Sequence, residues 1–353
     1  MRLTELLKEI DMTDVNVKSD VIRTTVLAIG GGGNKVLASI QNQDLRSCLH
    51  DDVVNLMAVD TSNDVLGVHY TDNAIPTYII KDRDGNAIHG AGKDRTVVGK
   101  AAEYALPSMF RGNELGDVVI IAITTGGGTG AGAGIKALDH VLKNKKMPIL
   151  VISNTTANDE ITAKNVITTL NMITAICEVY GVVVPVFAVD YNEQLAKESA
   201  DYIKMVNGQM LEAIMNMLFV LTEQNGIDRA DIKSFFTKAV ATGDIDPQPL
   251  TLHFDDVIED SHHMAVSRLV VNSHNTSHHS NLPVIFAKNG QVNPALFENY
   301  RIKDPITVEL RAGTFANIVN QYKRHHENLK AEMEKAKSNM NKLEKVDRSI
   351  LDF

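Results

Sequence analysis

The sequence has few cysteines, no tryptophan and no long apolar run. It contains two cysteines, Cys48 and Cys177, among 353 residues, which is too few for a disulfide framework and typical of a reducing compartment. No apolar run approaches the roughly 18 residues that a membrane span requires. The N-terminal stretch carries acidic residues where a signal peptide would be apolar. We therefore expect a cytoplasmic protein without a membrane partner.

The sequence also lacks an excess of basic residues. Its 35 Lys and Arg residues against 44 Asp and Glu residues give a formal net charge of −9, so we expect no direct contact with DNA. Three pairs of adjacent histidines occur, but adjacent side chains point in different directions and no nearby residue completes a ligand set. We therefore predict no structural metal site at these histidines. The pairs are His262-His263, His278-His279 and His325-His326.

The first half of the sequence alternates apolar runs with helical patterns. Five continuous apolar runs predict strands of a parallel sheet that is covered by helices on both faces, which is an α/β fold. The runs lie at 25–29, 56–59, 118–124, 147–153 and 182–189. Ligands of such sheets bind at the carboxyl ends of the strands, so the loops there should converge on one crevice.

The second half of the sequence begins with a long helical pattern. Apolar residues at intervals of three and four predict a central helix from about 195 to 223. Strand-like runs at 265–271, 283–287 and 306–310 then predict a smaller α/β second domain. A seven-residue rhythm of apolar residues with charges between them predicts a long C-terminal helix from about 314 to 345.

Two glycine-rich runs follow predicted strands, GGGGNK at 30–35 and GGGTGAGAG at 126–134. Glycine lets backbone N–H groups approach a phosphate at the positive end of the following helix. A third motif, GAG at 90–92, lies between them. Three such loops suit a nucleoside triphosphate that is held from several sides. No Gly-Lys-Ser/Thr occurs, which excludes a P-loop.

The first glycine run leaves a second interpretation open. It could belong to a nicotinamide-dependent oxidoreductase, with Asp60 at the end of the second strand holding a ribose. However, the run has Lys35 where the dinucleotide-binding motif has its third glycine. This alternative requires one glycine loop, whereas the sequence has two.

The second glycine run resembles the signature loop of the tubulin/FtsZ superfamily, Gly-Gly-Gly-Thr-Gly-Ser/Thr/Ala-Gly. The other loops follow in that family's order over roughly residues 21 to 240. The resemblance implies a GTP-binding domain at 21–194 after an N-terminal helix at 1–20, and a central helix at 195–224. It also implies a second domain at 225–312 and a C-terminal helix and tail at 313–353.

The resemblance implies that this chain binds GTP or GDP with Mg2+. The signature loop would hold the phosphates, with Thr129 adding a hydroxyl donor, while Asn34 and Asn207 would contact guanine. Glu160 or Asp159 would contact the ribose, and Asn192 the sugar or base. The full set of implied nucleotide-binding residues is Gly31, Gly32, Gly33, Asn34, Asp60, Thr61, Gly90, Ala91, Gly92, Gly126, Gly127, Gly128, Thr129, Gly130, Glu160, Asn192 and Asn207.

The loop after the central helix resembles the family's Asn-x-Asp-x-x-Asp catalytic loop, with Gly226 in place of the asparagine. Asp228 and Asp231 are the matching carboxylates, which can position a water and hold a cation near the γ-phosphate. Asn225 could replace the missing asparagine. A largely helical connection puts Asp228 roughly 30 Å from Asn207. A head-to-tail neighbour must therefore supply the aspartates, and such contacts generate a filament.

Within the superfamily, the N-terminal and C-terminal helices are similar to those of the TubZ group, the plasmid- and phage-borne relatives that segregate DNA. This resemblance implies a GTPase that polymerises with itself and works with a DNA-binding adaptor protein in plasmid or phage DNA partition. The alternative is a filament like that of FtsZ or of a phage spindle, for division or DNA positioning. We expect the C-terminal helix to pack on its own domain and to reach the next subunit.

Overall fold

The computed structural model describes residues 22–42, 45–70, 75–88, 90–153, 159–189, 199–254, 264–274 and 284–351. Their strands form one sheet of ten, in the order β3-β2-β1-β4-β5-β6-β7-β10-β8-β9. The first seven strands in that order are parallel, whereas β10 runs antiparallel to both β7 and β8. The α/β class and the parallel sheet predicted from the sequence are confirmed.

The parallel half of the sheet is buried on both faces. Its strands are β1 (Thr24–Ile29), β2 (Val54–Asp60), β3 (Thr77–Ile79), β4 (Val118–Thr124), β5 (Met147–Ser153) and β6 (Val184–Val189). Every residue of β1 is buried, because an apolar side chain on either face meets a layer of helices. The layers are built from α1 (Gly30–Asn42), α2 (Asn63–His69), α3 (Arg95–Arg111), α4 (Gly128–Lys143) and α5 (Glu160–Tyr180).

The remaining elements extend the same sheet. They are α6 (Ser199–Thr222), α7 (Arg229–Ala241), β7 (Pro249–Phe254), β8 (Met264–Asn272), β9 (Phe286–Gln291), α8 (Pro294–Tyr300), β10 (Ile306–Ala312) and α9 (Thr314–Leu351). Because β6 pairs in parallel with β7, the sheet runs without a break across the predicted boundary between the two domains. The division into domains therefore stays a prediction.

Two apolar clusters hold the fold together, one on each face of the parallel strands. The first contains α1, the central helix α6 and the second half of the chain, with Met210, Ile214, Leu218 and Phe219 of α6 fully buried. The second contains α3, α4, α5 and the start of α9. The central helix thus packs beside the carboxyl ends of the strands at its beginning and runs toward their amino ends.

Among the α9 side chains that the structure describes, through residue 338, those at the start of the helix pack on the body. Phe315, Val319 and Tyr322 are buried against the second apolar cluster. Residues 331–338 of the same helix are all exposed, and Met333 retains 41% of its accessible surface. The helix continues to Leu351, six residues beyond its predicted end. The start of α9 therefore packs on the body of its own chain, whereas its contact with a next subunit stays a prediction.

Several other boundaries differ from the sequence-based prediction. The first helix begins at Gly30 rather than at Asn34, because the four glycines form its first turn. The strand predicted at 283–287 lies at Phe286–Gln291. Strands β3 and β7 and helix α7 were not predicted. The predicted N-terminal helix at 1–20 lies outside the described residues.

Candidate functional site

The two glycine-rich loops meet at the carboxyl ends of β1 and β4. A Cβ atom on Gly30 would lie 2.9 Å from the backbone nitrogen of Gly130, and one on Gly130 would lie 2.5 Å from the carbonyl oxygen of Thr124. No side chain fits at such distances, so these glycines are required for the close approach of α1, α4 and β4. The predicted convergence of the loops is confirmed.

The third loop closes over the start of α4. A Cβ atom on Gly128 would lie 2.3 Å from the Cβ atom of Ala91, so glycine is needed there for packing as well. Gly90 and Gly92 have positive φ angles of 94° and 49°, and the following Lys93 has a φ of 64°. This left-handed stretch turns the Lys93 side chain toward the glycine loops.

A cavity of about 420 Å³ lies between these loops and the central helix. Gly32, Thr124, Gly126 and Gly127 form its floor, with Gly127 at the N-cap position of α4. The opposite wall comes from α6. The residues that line the cavity are Gly32, Lys35, Lys93, Thr124, Gly126, Gly127, Ser153, Asp159, Thr162, Tyr202, Ile203, Val206 and Asn207. A helix start that lines the cavity, together with two lysines, makes this cavity suitable for an anion.

The predicted guanine contacts, Asn207 and Asn34, have different environments in the structure. Asn207 lines the cavity from α6, where an amide can reach a ligand. Asn34 is fully buried, and its Nδ2 donates to the carbonyl oxygen of Val59 at 3.0 Å and to Asp60 Oδ2 at 3.2 Å. The Tyr70 hydroxyl donates to the Asn34 backbone carbonyl oxygen at 2.8 Å. Asn34 therefore ties α1 to β2 and does not face the cavity.

Asp60 and Thr61 connect the second strand to the signature loop. Asp60 Oδ1 accepts hydrogen bonds from the backbone N–H groups of Thr61 and Ser62, at 2.7 and 3.2 Å. Burial raises the pKa of Asp60, although these hydrogen bonds and the one from Asn34 oppose the shift. The Thr61 and Thr129 hydroxyl oxygens are 2.8 Å apart, so the two loops share a hydrogen bond.

Asp159 is the carboxylate that lines the cavity. Glu160 is exposed in the first turn of α5 and does not line the cavity, so its contact with a ribose stays a prediction. Asp159 caps α5 by accepting from the Thr162 N–H at 2.8 Å, and it pairs with Lys93 Nζ at 2.6 Å. Burial alone would raise the pKa of Asp159, but the Lys93 ammonium and the Thr162 donors lower it to about 2.

Asn165 of α5 is a site residue that the sequence did not reveal. Its side chain is buried, and Nδ2 donates to the carbonyl oxygens of Lys93 at 3.0 Å and Gly126 at 3.2 Å. It thereby joins the third loop to the signature loop. A polar residue within a helix gives no sequence signal for such a role. The predicted contact Asn192 lies outside the described residues.

The predicted catalytic loop lies near the amino ends of the parallel strands, opposite the cavity. Asp228 caps α7 by accepting from the Asp231 N–H at 2.8 Å, and the Asp231 carboxylate accepts from the Asp228 N–H at 3.4 Å. Asp231 also pairs with Lys288 Nζ at 2.8 Å. Asn225 is buried, with its side chain bonded to Val220 and Ile227. Its proposed replacement of the missing loop asparagine is wrong, because its amide points inward.

Two features of the structure separate the aspartates from the cavity. Arg229, next to Asp228, pairs with Asp117 at 3.3 Å, immediately before β4. The signature loop leaves the other end of β4, about 23 Å away at 3.3 Å per residue. Helix α6 ends at Thr222, six residues before Asp228, and the helix alone rises about 22 Å from Asn207. Both estimates exceed the reach of any side chain.

Comparison with solved structures identifies the architecture. A protofilament of TubZ from bacteriophage PhiKZ aligns with a TM-score of 0.71 at 20% identity, over 90% of this chain and 93% of that chain. The phage tubulin PhuZ with GDP aligns with a TM-score of 0.72 at 15% identity, over 89% and 93%. An FtsZ dimer from M. jannaschii aligns with a TM-score of 0.57 at 16% identity, over 87% of this chain and 90% of that chain. The chain has the tubulin/FtsZ fold.

The tubulin/FtsZ fold predicted from the glycine loops is thereby confirmed, with strong similarity to the phage proteins TubZ and PhuZ. No sequence-family model and no curated protein sequence matches the chain. Within the described residues, no helix is long and apolar enough to cross a membrane. The described part of the chain likewise holds no group of three His, Cys, Asp or Glu side chains that could bind a metal ion.

Proposed function

We propose that this protein is a GTPase that polymerises head to tail and hydrolyses GTP at the junction between two subunits. The observation that carries the proposal is that the nucleotide cavity and the aspartate-bearing loop lie at opposite ends of the strands of one sheet. The cavity lies at the carboxyl ends of the strands, and the aspartate-bearing loop lies near Asp117 at their amino ends. In a head-to-tail stack of identical subunits, the cavity of one subunit meets the aspartate-bearing loop of the next.

The cavity residues suit a nucleoside triphosphate. Gly126 and Gly127 line it at the start of α4, where helix N–H groups favour an anion, and Lys35 and Lys93 add positive charge. Asn207 can donate to and accept from a base, and Tyr202 provides an aromatic surface next to it. Asp159, ionised at neutral pH, is available to a ribose hydroxyl. We assign it the ribose contact in place of Glu160.

The structure offers oxygen atoms that fit a hard cation beside the signature loop. The hydroxyl oxygens of Thr61 and Thr129 are 2.8 Å apart, and Asp60 Oδ1 lies 3.5 Å from that of Thr61. Mg2+ prefers oxygen ligands and usually keeps several waters while contacting phosphates. We assign Thr61 and Thr129 to the protein side of a Mg2+ site. Bound there, the ion would neutralise charge on the phosphates.

Hydrolysis transfers the γ-phosphoryl group of GTP to water and leaves GDP and inorganic phosphate. We assign Asp228 and Asp231 of the neighbouring subunit to positioning this water, since phosphoryl transfer depends mainly on positioning and charge stabilisation. In the isolated chain, the two carboxylates form a capping box and Asp231 pairs with Lys288. These contacts hold both side chains at the exposed start of α7, where a second subunit can reach them.

The similar solved structures support assembly and nucleotide binding. One is a protofilament, one is a filament, and one contains GDP. We propose by analogy that the polymer moves or positions DNA, in plasmid or phage partition with a DNA-binding adaptor or as a phage spindle. An FtsZ-like division filament is the second candidate, because an FtsZ dimer also shares the fold. A nicotinamide oxidoreductase would require neither the second glycine loop nor assembly.

The proposal is tested by sedimentation and phosphate release with purified chain. We expect GTP with Mg2+ to bring the protein into the pellet, whereas GDP leaves it in the supernatant. Asp231→Asn should lower phosphate release about 100-fold or more while pelleting persists, since a positioned acid-base group contributes roughly 100- to 10,000-fold. Asparagine preserves the size of the side chain and an oxygen that can accept from the Asp228 N–H.

A matched control variant separates loss of catalysis from loss of folding. Asp246→Ala changes an exposed aspartate in the loop that follows α7, at the opposite end of that helix from Asp231, and should leave both pelleting and phosphate release unchanged. Normal hydrolysis by Asp231→Asn filaments would contradict the catalytic assignment. Equal pelleting with GTP and GDP would contradict nucleotide-controlled assembly.

A further inference from the structure

A second cavity, larger than the first, lies between helices α3, α4 and α5. We call it the basic cleft; its volume is about 690 Å³. It exists because α3 and α4 pack very closely, while α5 stands further away. A Cβ atom on Gly132 would lie 2.5 Å from the carbonyl oxygen of Arg95 and 3.0 Å from the nitrogen of Gly99. The groove between this tight pair and α5 stays open to solvent.

The basic cleft concentrates positive charge on a chain whose net charge is −9. Five cationic side chains line it, against Asp94 and Glu103. Asp94 caps α3, and Glu103 pairs with Lys136 at 3.3 Å. The five are Lys93, Arg95, Lys100, Lys136 and Lys164. The lining therefore carries an excess of three positive charges (five minus two), which are contributed by all three helices.

Arg95 distinguishes the cleft from an ordinary surface of solvated lysines. Its guanidinium Nη1 is buried and has no hydrogen-bond partner among the described residues. Nη2 meets only the Met172 sulfur, at 2.8 Å, and no carboxylate pairs with the group in the described part of the chain. Burial lowers the pKa of Arg95, although the guanidinium stays charged. A half-buried cation without an anion is unfavourable unless a ligand supplies the charge.

We propose that the basic cleft binds an anion that carries two or more phosphate groups, with the Arg95 guanidinium as its central contact. Arginine presents a fork of N–H donors that matches phosphate oxygens in pairs. An excess of three positive charges suits a multiply charged anion better than a single carboxylate. Lysines from different helices can contact phosphate oxygens from several sides.

The basic cleft also shares residues with the nucleotide cavity. Lys93 lines both cavities, and its carbonyl oxygen accepts from Asn165, which in turn contacts Gly126 of the signature loop. An anion at Arg95 competes with Asp159 for the Lys93 ammonium. Occupancy of the cleft should therefore change nucleotide affinity, and nucleotide should change anion affinity by the same factor.

The test is calorimetric titration of the full chain with pyrophosphate, in a buffer without divalent cations. The nucleotide cavity is filled with GDP beforehand, so that pyrophosphate cannot bind to the glycine loops, and unbound GDP, itself a diphosphate, is removed by desalting so that it does not occupy the cleft. We expect one site per chain. Arg95→Met should weaken the binding of pyrophosphate at least about 10-fold, because hydrogen bonds to charged groups are worth roughly 1.5–3 kcal/mol. Lys143→Met, at the far end of α4 and paired with Asp139, should leave it unchanged.

Further variants and ligands keep the proposal falsifiable. If Arg95→Met fails to fold, the double variant Lys100→Met, Lys164→Met takes its place, because both lysines are exposed. The double variant should weaken the binding of pyrophosphate several-fold. Citrate tests the chemistry of the anion and should bind more weakly than pyrophosphate. Absence of binding, equal loss in Lys143→Met, or tighter binding of citrate would each overturn the proposal.

The same titration separates this inference from the proposed function. Heat from GDP addition to Arg95→Met reports on the nucleotide cavity alone, and the Arg95-dependent heat from pyrophosphate reports on the cleft. A chain that binds pyrophosphate in an Arg95-dependent way but binds no GDP would refute the nucleotide assignment and support the cleft. The reverse result would refute the cleft alone.

Discussion

Replacing Gly130 with alanine should destabilise the whole fold, although alanine is the better helix former. Gly130 lies in the first turn of α4, where its Cα faces the last residue of β4. An added Cβ would lie 2.5 Å from the carbonyl oxygen of Thr124 and 3.1 Å from its nitrogen. Both atoms belong to the backbone of a buried central strand, so neither can move as a side-chain tip would.

The expected magnitude follows from two opposing effects. An extra methyl group in a packed interior typically costs about 1–3 kcal/mol, and the backbone contact at Gly130 favours the upper end. Replacing glycine by alanine within a helix stabilises it by up to about 1 kcal/mol. The net destabilisation should be about 2 kcal/mol. In Gly208→Ala, within α6, the new Cβ meets nothing within 4 Å, so only the favourable effect of about 0.5–1 kcal/mol remains.

Urea unfolding of the nucleotide-free chain, followed by circular dichroism, measures both effects. Gly130→Ala should unfold at a lower urea concentration than the parent, and Gly208→Ala at a slightly higher one. The comparison removes general effects of glycine replacement, because both positions are helical. A Gly130→Ala variant as stable as Gly208→Ala would refute the close approach of α4 to β4 on which the cavity floor depends.

Three further predictions concern single contacts. The pKa of Asp159, about 2, lies below the roughly 3.9 of a free aspartate. Its pairing with Lys93 therefore stabilises the fold above about pH 4 and is lost as the pH falls through 2. The urea midpoints of the parent and Asp159→Asn should differ more at pH 7 than at pH 3, and a constant difference would exclude the pair. Burial raises the pKa of Cys177 to about 12. A disulfide reagent at pH 8 should therefore modify at most Cys48 in the native chain and both thiols in urea. Rapid modification of both cysteines in the native chain would contradict this packing. Asn165→Leu should weaken GDP binding about 10-fold in a fluorescent-nucleotide titration, since two carbonyl oxygens lose their donor, and an unchanged affinity would remove Asn165 from the site.

The elements that the sequence predicts best are those with a local cause. The strands at Val118–Thr124 and Met147–Ser153 match their predicted bounds, because a strand buried on both faces needs an unbroken apolar run. The convergence of the glycine loops follows from the parallel order of the strands. Strand β3 escaped prediction because it is a short, half-exposed edge strand with little apolar pattern. Strand β7 begins with Pro249, which the sequence alone marks as a breaker.

Side-chain roles were harder to predict, since they depend on partners that are distant in sequence. Asn34 is turned inward by Val59 and Asp60, which are 25 and 26 residues away. Asp159 was distinguished from its neighbour Glu160 only by the capping geometry of α5 and by Lys93, 66 residues away. Asn165 acts through two backbone carbonyl groups. No local sequence pattern predicts such contacts.

The central claim is that one subunit supplies the nucleotide cavity and its neighbour supplies the aspartates. Mixing two inactive variants tests it most directly. Asp231→Asn keeps the cavity intact, and Gly127→Trp fills the cavity beside the signature loop while its catalytic loop stays intact. Gly127 tolerates a Cβ, with Thr124 Oγ1 as its nearest neighbour at 3.5 Å. Each variant alone should release phosphate at a small fraction of the parent rate. The account predicts that the mixture releases phosphate well above the sum of the two. A mixture that co-sediments but stays at that sum would contradict catalysis between subunits.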